Sequence, residues 1–347
     1  MTETRRALVI GAAGQDGSYL CEALVEDGYR VVGVVRSAAA SASPNLASVV
    51  ERIDLVQADL AETHVLEATI RAFRPHELYN LASVSFGPDA WTQPMETARL
   101  GTVAIAALLD MIRKVEPGLR FFQSSSSWVF GQPERSPQTE DTPRAPIEPY
   151  GAAKAFGDFL IRAYRHHHGM FACSGIFYNH ESPRRPERFV TRKVTRAAAA
   201  IKLGLLSELT LGDIEARRDW GYAKDYVQAI RLMLAAPVAR DYVVATGETH
   251  SIRELLDVAF GRLGLDWQAH VRLDSTYRRG PAEIAELIGD ATAARESLGW
   301  APTVTFEELI GMMVDADLAE LAGTTAAAPA APDAAAPTPV APAADPA

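Results

Sequence analysis

The chain has 347 residues, of which 48% are hydrophobic and 22% are charged. This is the balance of a globular protein with one large domain or two modest ones, and it excludes a mainly disordered or fibrous chain. The 34 Lys and Arg residues against 44 Asp and Glu residues give a net charge of -10, which repels nucleic acid and acidic membrane surfaces and argues against both as partners.

Short apolar runs alternate with segments of helical period through the first half of the chain. Near-continuous apolar strands separated by amphipathic helices predict a parallel sheet that is covered by helices on both faces. Because crossovers between parallel strands are right-handed, we predict an α/β fold with a doubly wound (Rossmann) sheet. The first strand-like runs are RRALVIGA, YRVVGVVR, IDLVQADL and HELYNLAS, and the first helical segments between them are YLCEALVEDG and HVLEATIRAF.

The alternation continues through a helix near 97–114, the strand RFFQSSSS, a helix from Tyr150 and the strand FACSGIFYN, and it ends at Asn179. Beyond this point the pattern predicts a late strand, YVVAT, and helices near 190–203, 224–235, 252–263 and 306–321. We therefore expect a Rossmann domain mainly in 1–178, a smaller discontinuous lobe mainly in 179–322 with some segments returning to the sheet, and a disordered Ala- and Pro-rich tail over 323–347.

Cysteine and histidine usage gives no sign of a disulfide framework or a metal site. The two cysteines, Cys21 and Cys173, lie in apolar surroundings and form no CxxC or Cys/His cluster. The three histidines at 166–168 are not accompanied by an acidic cluster. Residues 1–6 run straight into an apolar strand, and no apolar stretch reaches membrane-spanning length, so a cytoplasmic protein without a targeting segment is expected.

Three glycines, Gly11, Gly14 and Gly17, fall in the turn between the first strand and the first helix. The absence of Cβ atoms lets the backbone approach a pyrophosphate at the positive N-terminus of the helix, and the last glycine allows the helix to pack closely on the sheet. The turn therefore predicts a dinucleotide site that includes Gln15 and Asp16.

The residues after the second strand predict which dinucleotide is bound. A carboxylate usually stands there to bind the ribose 2′-hydroxyl of NAD, whereas this chain has Arg36. A guanidinium can face a 2′-phosphate, so the predicted cofactor is NADP. Asp59 and Leu60 follow the third strand, where they would contact the adenine, and Leu81 and Ser83 follow the fourth.

Tyr150 and Lys154 are four residues apart on a predicted helix and share one face, while Ser126 ends the preceding strand. An ammonium beside the phenol would lower the pKa of Tyr150 toward neutrality, and the Ser126 hydroxyl can hydrogen-bond the same substrate oxygen. The three residues predict catalysis in which Tyr150 moves a proton while the dinucleotide moves a hydride, with Tyr150 and Lys154 also contacting the cofactor.

A series of longer motifs extends from Arg6 to about Leu321: GQDGSYL, NHESPRR, FVTRKV, RDWGYAKDYV, ATGETHSIRE, and LGW followed by FEEL. In these motifs the chain resembles the extended short-chain dehydrogenases that act on nucleotide sugars, and most closely the GDP-mannose 4,6-dehydratase family. The resemblance implies NADP held by the amino-terminal domain, GDP-mannose or a related GDP-hexose held by the carboxyl-terminal lobe, and a homodimer or homotetramer.

The resemblance also implies a set of substrate-binding residues. A cluster of basic residues between 184 and 196 supports it independently, because guanidinium forks suit a diphosphate in an otherwise acidic protein. Arg279 is displaced by one position, because in the family the arginine directly precedes Pro-Ala-Glu. The implied set is Ser85, Asn179, His180, Glu181, Arg185, Val190, Arg192, Lys193, Arg218, Trp220, Arg279 and Glu283.

The chain departs from the family after the fifth strand, where the family's glutamate, two residues beyond the position of Ser126, is replaced by Trp128. In 4,6-dehydration that carboxylate removes the C5 proton once C4 has been oxidised, water leaves C6, and the hydride returns to C6. An indole cannot act as a general base. Glu134 or Glu140 could replace the lost carboxylate only if the following loop folded inward.

Three functions remain open from the sequence. A GDP-mannose 4,6-dehydratase-like lyase is favoured by the extent of the resemblance. A GDP-sugar 4-epimerase or ketosugar reductase is favoured by Trp128, because Ser126, Tyr150, Lys154 and NADP suffice for oxidation and reduction at C4. The third alternative is a catalytically weak binding subunit, against which the intact Tyr150 and Lys154 argue.

Overall fold

The computed structural model describes residues 4–274 and 287–327. The strands within them are β1 (Arg6–Ile10), β2 (Arg30–Val35), β3 (Asp54–Gln57), β4 (Glu77–Asn80), β5 (Arg120–Ser124), β6 (Ala172–Phe177), β7 (Asn179–Glu181), β8 (Leu209–Leu211), β9 (Arg217–Arg218), β10 (Trp220–Tyr222), β11 (Tyr242–Val244), β12 (His250–Ser251) and β13 (Val271–Leu273). The helices are α1 (Gln15–Glu26), α2 (Ala38–Ser41), α3 (Thr63–Phe73), α4 (Gly87–Thr92), α5 (Pro94–Ala98), α6 (Ala104–Val115), α7 (Pro149–His168), α8 (Val190–Lys202), α9 (Ala223–Ala235), α10 (Ile252–Arg262), α11 (Thr292–Leu298) and α12 (Phe306–Ala327).

Seven strands form one parallel sheet in the order β11-β6-β5-β4-β1-β2-β3. Its central strands are almost continuously buried, as expected where helices cover both faces of a parallel sheet. The predicted doubly wound α/β fold is confirmed. The late strand β11 pairs with β6, so the chain returns to this sheet after leaving it at Phe177.

Two hydrophobic cores cover the two faces of the sheet. On one face α1 and α9 pack through side chains such as Leu24 and Ile230. On the other face α3, α6 and α7 pack through side chains such as Ile70, Leu108 and Ile161. The strand order changes direction at β1, which lies between β2 and β4, and this switch point leaves a crevice at the carboxyl ends of the strands.

A separate core lies in the later part of the chain. It is built from residues between 190 and 318, where α8, α10 and α12 pack around Trp220, Phe260 and Phe306. The last helix continues to Ala327, beyond the residue at which the tail was expected to begin. The remainder of the predicted tail lies outside the described residues.

The predicted helix near 97–114 is divided in the structure. Pro94 begins α5, in agreement with the preference of proline for the first turn of a helix, and a π-helical turn (Arg99–Val103) joins α5 to α6. Gly87 and Pro88 likewise begin the separate helix α4. These breaks place the segment from Gly87 to Ala98 beside α7.

Two further features concern membranes and metals. Among the described residues, no helix combines the length and the apolar character that crossing a membrane requires. Cys21 and Cys173 are buried and unbonded to each other. In the same part of the chain, no three His, Cys, Asp or Glu residues are grouped as they would be around a metal ion.

Candidate active site

A cleft of about 680 Å³ opens at the carboxyl ends of the central strands. Lys154 lies behind its wall, in a small adjoining cavity that it shares with Tyr150. Arg279 and Glu283, both predicted to bind substrate, lie outside the described residues. The predicted residues that line the cleft are Gly11, Gly14, Gln15, Asp16, Gly17, Arg36, Asp59, Leu60, Leu81, Ser83, Ser85, Ser126, Tyr150, Asn179, His180, Glu181, Arg185, Val190, Lys193, Arg218 and Trp220.

The glycine loop forms a tight turn at the N-terminus of α1. Gly11 adopts a φ of +87°, a conformation that side chains rarely allow, and the Gly14 amide donates a hydrogen bond to its carbonyl oxygen over 3.0 Å. A Cβ atom on Gly17 would lie 2.2 Å from the same oxygen. A loop that admits no side chain at a helix N-terminus fits the pyrophosphate of a dinucleotide.

Arg36 and Asp59 stand at the ends of β2 and β3, at one end of the cleft. Burial alone would raise the pKa of Asp59, but hydrogen bonds from the Ala61 amide (2.9 Å) and the Arg99 guanidinium (3.1 Å) hold that pKa below its usual value. Asp59 is therefore an oriented carboxylate beside the Arg36 guanidinium. Arg99, which lies in the π-helical turn, was not predicted from the sequence.

Ser126, Tyr150 and Lys154 converge between β5 and α7. The Lys154 Nζ donates a hydrogen bond to the Ser124 carbonyl oxygen over 2.7 Å and lies 5.6 Å from the centre of the Tyr150 ring. The Ser126 side chain is close enough to the Tyr150 phenol to lower its pKa. The predicted arrangement of hydroxyl, phenol and ammonium is thus present at the wall of the cleft.

The pKa of Tyr150 differs from the sequence-based expectation. Burial raises it to about 12, against the opposing effects of the Ser126 hydrogen bond and the Arg185 charge. Burial also lowers the pKa of Lys154 to about 8. The prediction that the ammonium brings the phenol toward neutrality is therefore corrected, because desolvation of the phenol outweighs the nearby charges in this structure.

A buried carboxylate, that of Asp158, lies one helical turn beyond Lys154. Asp158 accepts hydrogen bonds from the hydroxyls of Ser125 (2.9 Å) and Ser174, and the Arg144 Nε lies 4.0 Å away. Burial raises the pKa of Asp158 to about 6, while its charge in turn raises the pKa of Lys154. The sequence analysis missed Asp158, although its spacing of four residues from Lys154 places both on one helix face.

His180 faces the glycine loop. Its Nε2 lies 3.0 Å from the Asp16 carboxylate, its Nδ1 lies 2.8 Å from the Tyr178 carbonyl oxygen, and its ring stacks on Tyr226. Burial alone would lower the pKa of His180 and raise that of Asp16, but the pair attracts, so the pKa of His180 is raised and that of Asp16 lowered. His180, predicted as a substrate ligand, thus contacts the glycine loop.

The predicted basic cluster divides into two groups. Arg185, Arg188 and Lys193 line the cleft. The guanidinium of Arg192 instead binds α12, donating to Asp317 over 2.5 Å and to Glu320 over 3.0 Å. The prediction of Arg192 as a substrate ligand is therefore corrected: α12 packs on the helix face that carries it.

Trp128 lines the cleft on the short turn that follows β5, and its side chain packs against the same hydrophobic cluster as Ile147. The two glutamates considered as replacements for the lost carboxylate are elsewhere. Glu134 is exposed, and Glu140 accepts a hydrogen bond from the Val243 amide of β11 over 2.7 Å. The loop after β5 does not bring either of them into the cleft.

A different glutamate, Glu148, lies beside the cleft. It occupies the N-cap position of α7 with an extended backbone (φ -144°, ψ 158°), two residues before Tyr150. Its Oε2 is 3.4 Å from the position that a Cβ atom on Gly87 would occupy, and Gly87 lines the cleft. The sequence signal for it was its nearness to Tyr150, but the direction of an N-cap side chain depends on contacts with α4.

Comparison with known proteins gives a consistent family assignment. The sequence profile of the family described as GDP-mannose 4,6 dehydratase matches residues 8–313. GDP-mannose 4,6 dehydratase 1 of Arabidopsis thaliana is 44% identical over 324 residues, which cover 90% of this chain and 89% of that protein. GDP-mannose 4,6 dehydratase of Homo sapiens is 38% identical over 339 residues, which cover 90% of this chain and 91% of that protein.

Solved structures share the fold at lower sequence identity. A dTDP-glucose 4,6-dehydratase from Streptomyces venezuelae with NAD bound has a TM-score of 0.81 and 24% identity, covering 92% of this chain and 98% of that one. RMD from Pseudomonas aeruginosa, complexed with NADPH, has a TM-score of 0.77 and 22% identity, covering 91% of this chain and 100% of that one. These structures support the fold.

Proposed function

The chain belongs to the GDP-mannose 4,6-dehydratase family, and from this membership we propose that it dehydrates a GDP-hexose, converting GDP-mannose to GDP-4-keto-6-deoxymannose. The observation that carries the proposal is that Ser126 and Tyr150, with Lys154 directly behind Tyr150, share one cleft with the glycine loop and a group of basic side chains. A dinucleotide and a diphosphate sugar can meet at the phenol in such a cleft.

Each residue of the triad has a separate task. Tyr150, in its phenolate form, takes the proton of the sugar C4 hydroxyl, and Ser126, beside the phenol, orients the same oxygen. Lys154 supplies positive charge behind the ring and is held by the Ser124 carbonyl. When bound, the nicotinamide accepts the hydride from C4 and later returns it to C6.

The diphosphate of the substrate requires cations at the other side of the cleft. Arg185, Lys193 and Arg218 line that side, and Arg185 is fixed by its ion pair with Glu181 (3.1 Å). Asn179 offers an amide to a sugar or phosphate oxygen, and the cleft also includes the Trp220 indole. Guanidinium groups bind phosphate oxygens in pairs, which gives both affinity and orientation.

The proposed cofactor is NADP rather than NAD. Arg36 stands where a dinucleotide would place its ribose 2′ substituent, and no acidic side chain ends β2. We expect Arg36→Ala to weaken NADP binding about 10- to 100-fold, the value of a charge-assisted hydrogen bond, and to change NAD binding little. Calorimetric titration with both dinucleotides measures the ratio, and an equal loss for both would contradict the assignment.

The reaction is tested with purified protein, NADP and GDP-mannose. Nuclear magnetic resonance follows the C4 ketone and the C6 methyl group. A 6-deoxy-4-keto product supports dehydration. No turnover of any GDP-sugar would instead support the catalytically weak binding subunit.

Trp128 favours a second candidate function, a GDP-sugar 4-epimerase or ketosugar reductase. An indole stands at the wall where the family carries its carboxylate, and oxidation at C4 needs only the triad and the dinucleotide. In the same experiment this function would give a sugar altered at C4 that keeps its C6 oxygen. The C6 methyl signal distinguishes the two functions directly.

We further propose that the protein is a homodimer or homotetramer of the cytoplasm. Exposed hydrophobic side chains on α4, α5, the π-helical turn and α7, including Met95, Val103 and Phe159, lie on elements that pack together and suit a self-complementary interface. Phe159→Glu should reduce the mass measured by light scattering, and an unchanged mass would contradict this interface. The buried thiols of Cys21 and Cys173 fit a reducing compartment.

A further inference from the structure

We propose that the carboxylate of Glu148 is the base that removes the C5 proton, in place of the glutamate that Trp128 has replaced. The inference rests on the proposed dehydration and assigns one of its steps. Glu148 would then be a catalytic residue that faces the sugar from the first turn of α7, two residues from the phenol that acts at C4.

The position of the Glu148 carboxylate is defined by two residues of the cleft wall. Its Oε2 approaches Gly87, where a Cβ atom would be 3.4 Å away, so the glycine leaves room for the carboxylate. Its charge also raises the pKa of the Tyr150 phenol, two residues further along the chain. The carboxylate thus lies beside Gly87 and acts on Tyr150, and both of these residues line the cleft.

Trp128 and Glu148 belong to the same corner of the cleft. A Cβ atom on Gly151 would lie 2.4 Å from the Trp128 carbonyl oxygen, so the turn after β5 presses against the first turn of α7. The Trp128 side chain packs in one cluster with Ile147, the residue before Glu148. The start of α7, which carries Glu148, is therefore packed against the turn from which the family's base is missing.

Two other carboxylates of the cleft, Asp16 near the glycine loop and Glu181 near the basic side chains, are bound to neighbouring residues. Asp16 is paired with His180 at 3.0 Å. Glu181 is 1% exposed, accepts the Thr191 hydroxyl over 2.5 Å and pairs with Arg185. Both carboxylates are thus held in place by neighbouring side chains.

Two further carboxylates line the cleft away from the phenol. Asp59 lies at the end of β3 and is bound by Arg99. Asp213 follows β8 and accepts the Glu215 amide over 2.8 Å. Among the described residues near Tyr150, Glu148 is the carboxylate whose position matches the step.

The assigned step balances within the reaction. After Tyr150 has taken the C4 hydroxyl proton and the hydride has left C4, the new ketone acidifies C5, and Glu148 takes the C5 proton. The electron pair forms the C5–C6 double bond, the C6 hydroxyl leaves, and the proton on Glu148 completes the water molecule. The hydride then returns to C6, and C5 receives a proton that replaces the one Tyr150 took from the C4 hydroxyl, released by Tyr150 through solvent, so no outside oxidant is used.

The test compares Glu148→Gln with the wild type and with Glu134→Gln, a matched control at an exposed glutamate of the preceding loop. Three quantities are measured in D₂O with NADP and GDP-mannose: reduced dinucleotide in a single turnover, deuterium at C5, and the C6 methyl group. We expect Glu148→Gln to keep C4 oxidation while C5 exchange and methyl formation fall at least 100-fold, the lower range for a general base. Glu134→Gln should match the wild type.

The outcomes separate this inference from the function on which it rests. If the wild type dehydrates and Glu148→Gln exchanges C5 at the same rate, the role of Glu148 is overturned while dehydration stands. If the wild type oxidises C4 but never exchanges C5, both fall. Melting temperature and NADP affinity establish that Glu148→Gln is folded, and Glu148→Asp, which keeps a shorter carboxylate, should retain part of the exchange. Recovery in the Trp128→Glu, Glu148→Gln double variant would further support the assignment.

Discussion

Lys154 carries a charge in a buried position, which is costly for folding and useful for the proposed chemistry. Burial lowers its pKa from 10.5 to about 8, so the folded protein binds this proton less tightly than the unfolded chain does. The free energy of unfolding therefore rises between about pH 8 and 10, as the unfolded chain also loses the proton. Below pH 8 the charged side chain costs up to about 3 kcal/mol.

We predict that Lys154→Met raises the free energy of unfolding near pH 7 by about 1–3 kcal/mol and abolishes turnover, because the methionine fills the same space without a buried charge. Denaturant titrations at pH 7 and pH 10 measure the difference in free energy of unfolding between Lys154→Met and the wild type, and this difference should be smaller at pH 10. Lys114→Met, at an exposed lysine, is the control and should change little. A destabilised Lys154→Met would contradict the sign of this argument.

Asp158 acts on the same ammonium from one turn away. Its charge raises the pKa of Lys154 against the effect of burial, so its removal should let that pKa fall further. We predict that Asp158→Asn moves the alkaline limb of the kcat/KM profile to lower pH, because Lys154 loses its proton earlier. The profile of Asp110→Asn, at a surface carboxylate, should superimpose on that of the wild type. An unmoved limb in Asp158→Asn would exclude the coupling.

At the scale of helices and strands, the main sheet and its covering helices could be predicted from the sequence because their signal is local. Buried parallel strands are apolar throughout, and α8, α9 and α10 begin and end within two residues of their predicted bounds. The short strands β7 and β10 had no such signal. They pair residues about 40 apart in sequence, so only the tertiary fold defines them.

The candidate site was predictable where spacing determines geometry. Tyr150 and Lys154 share a helix face by their spacing, and the glycine loop follows from its place between a strand and a helix. Arg192 was misjudged because its helix face is covered by α12, a contact over more than 100 residues. Glu148 was missed because an N-cap side chain has no helical periodicity to indicate its direction.

The ion pair between α8 and α12 gives a prediction for these two elements. Asp317 is fully buried and accepts hydrogen bonds from Arg192 (2.5 Å) and Thr195 (2.7 Å). We predict that Asp317→Ala lowers the free energy of unfolding by about 3–5 kcal/mol, because the buried guanidinium loses its buried carboxylate and keeps only the half-exposed Glu320. The Arg192→Met, Asp317→Leu double variant should recover most of this loss.

The same double variant tests the correction made for Arg192. Calorimetric titration with GDP-mannose should give the wild-type affinity, since the guanidinium faces α12 and does not line the cleft. A tenfold loss of affinity in a well-folded double variant would return Arg192 to the substrate-binding residues. Urea titration and substrate binding thus separate a role in packing from a role in recognition.

At the scale of the whole molecule, the segment after β6 is bound to the start of α1 by side chains from both sides. Gln15 donates to the His180 carbonyl oxygen over 3.0 Å and accepts the Ser182 hydroxyl over 2.8 Å. The His180–Asp16 pair adds a charged contact at the same place. The chain that leaves the main sheet is thereby fixed to the glycine loop, so the same contacts hold the proposed dinucleotide side and the proposed sugar side of the cleft.

The contribution of the His180–Asp16 pair to the free energy of unfolding should depend on pH. The pKa of His180 is raised in the folded protein, despite burial, by the Asp16 carboxylate, so its contribution to stability is fully present below the unfolded value of about 6.5 and is lost as pH rises through the folded pKa. We predict that His180→Gln lowers the free energy of unfolding by about 3 kcal/mol near pH 6 and by less near pH 9. The loss that remains at high pH comes from stacking on Tyr226. Urea titrations between pH 6 and pH 9 measure the loss of unfolding free energy in His180→Gln relative to the wild type. The control is His166→Gln, at an exposed histidine. A loss that is constant with pH would mean that His180 is neutral in the folded protein.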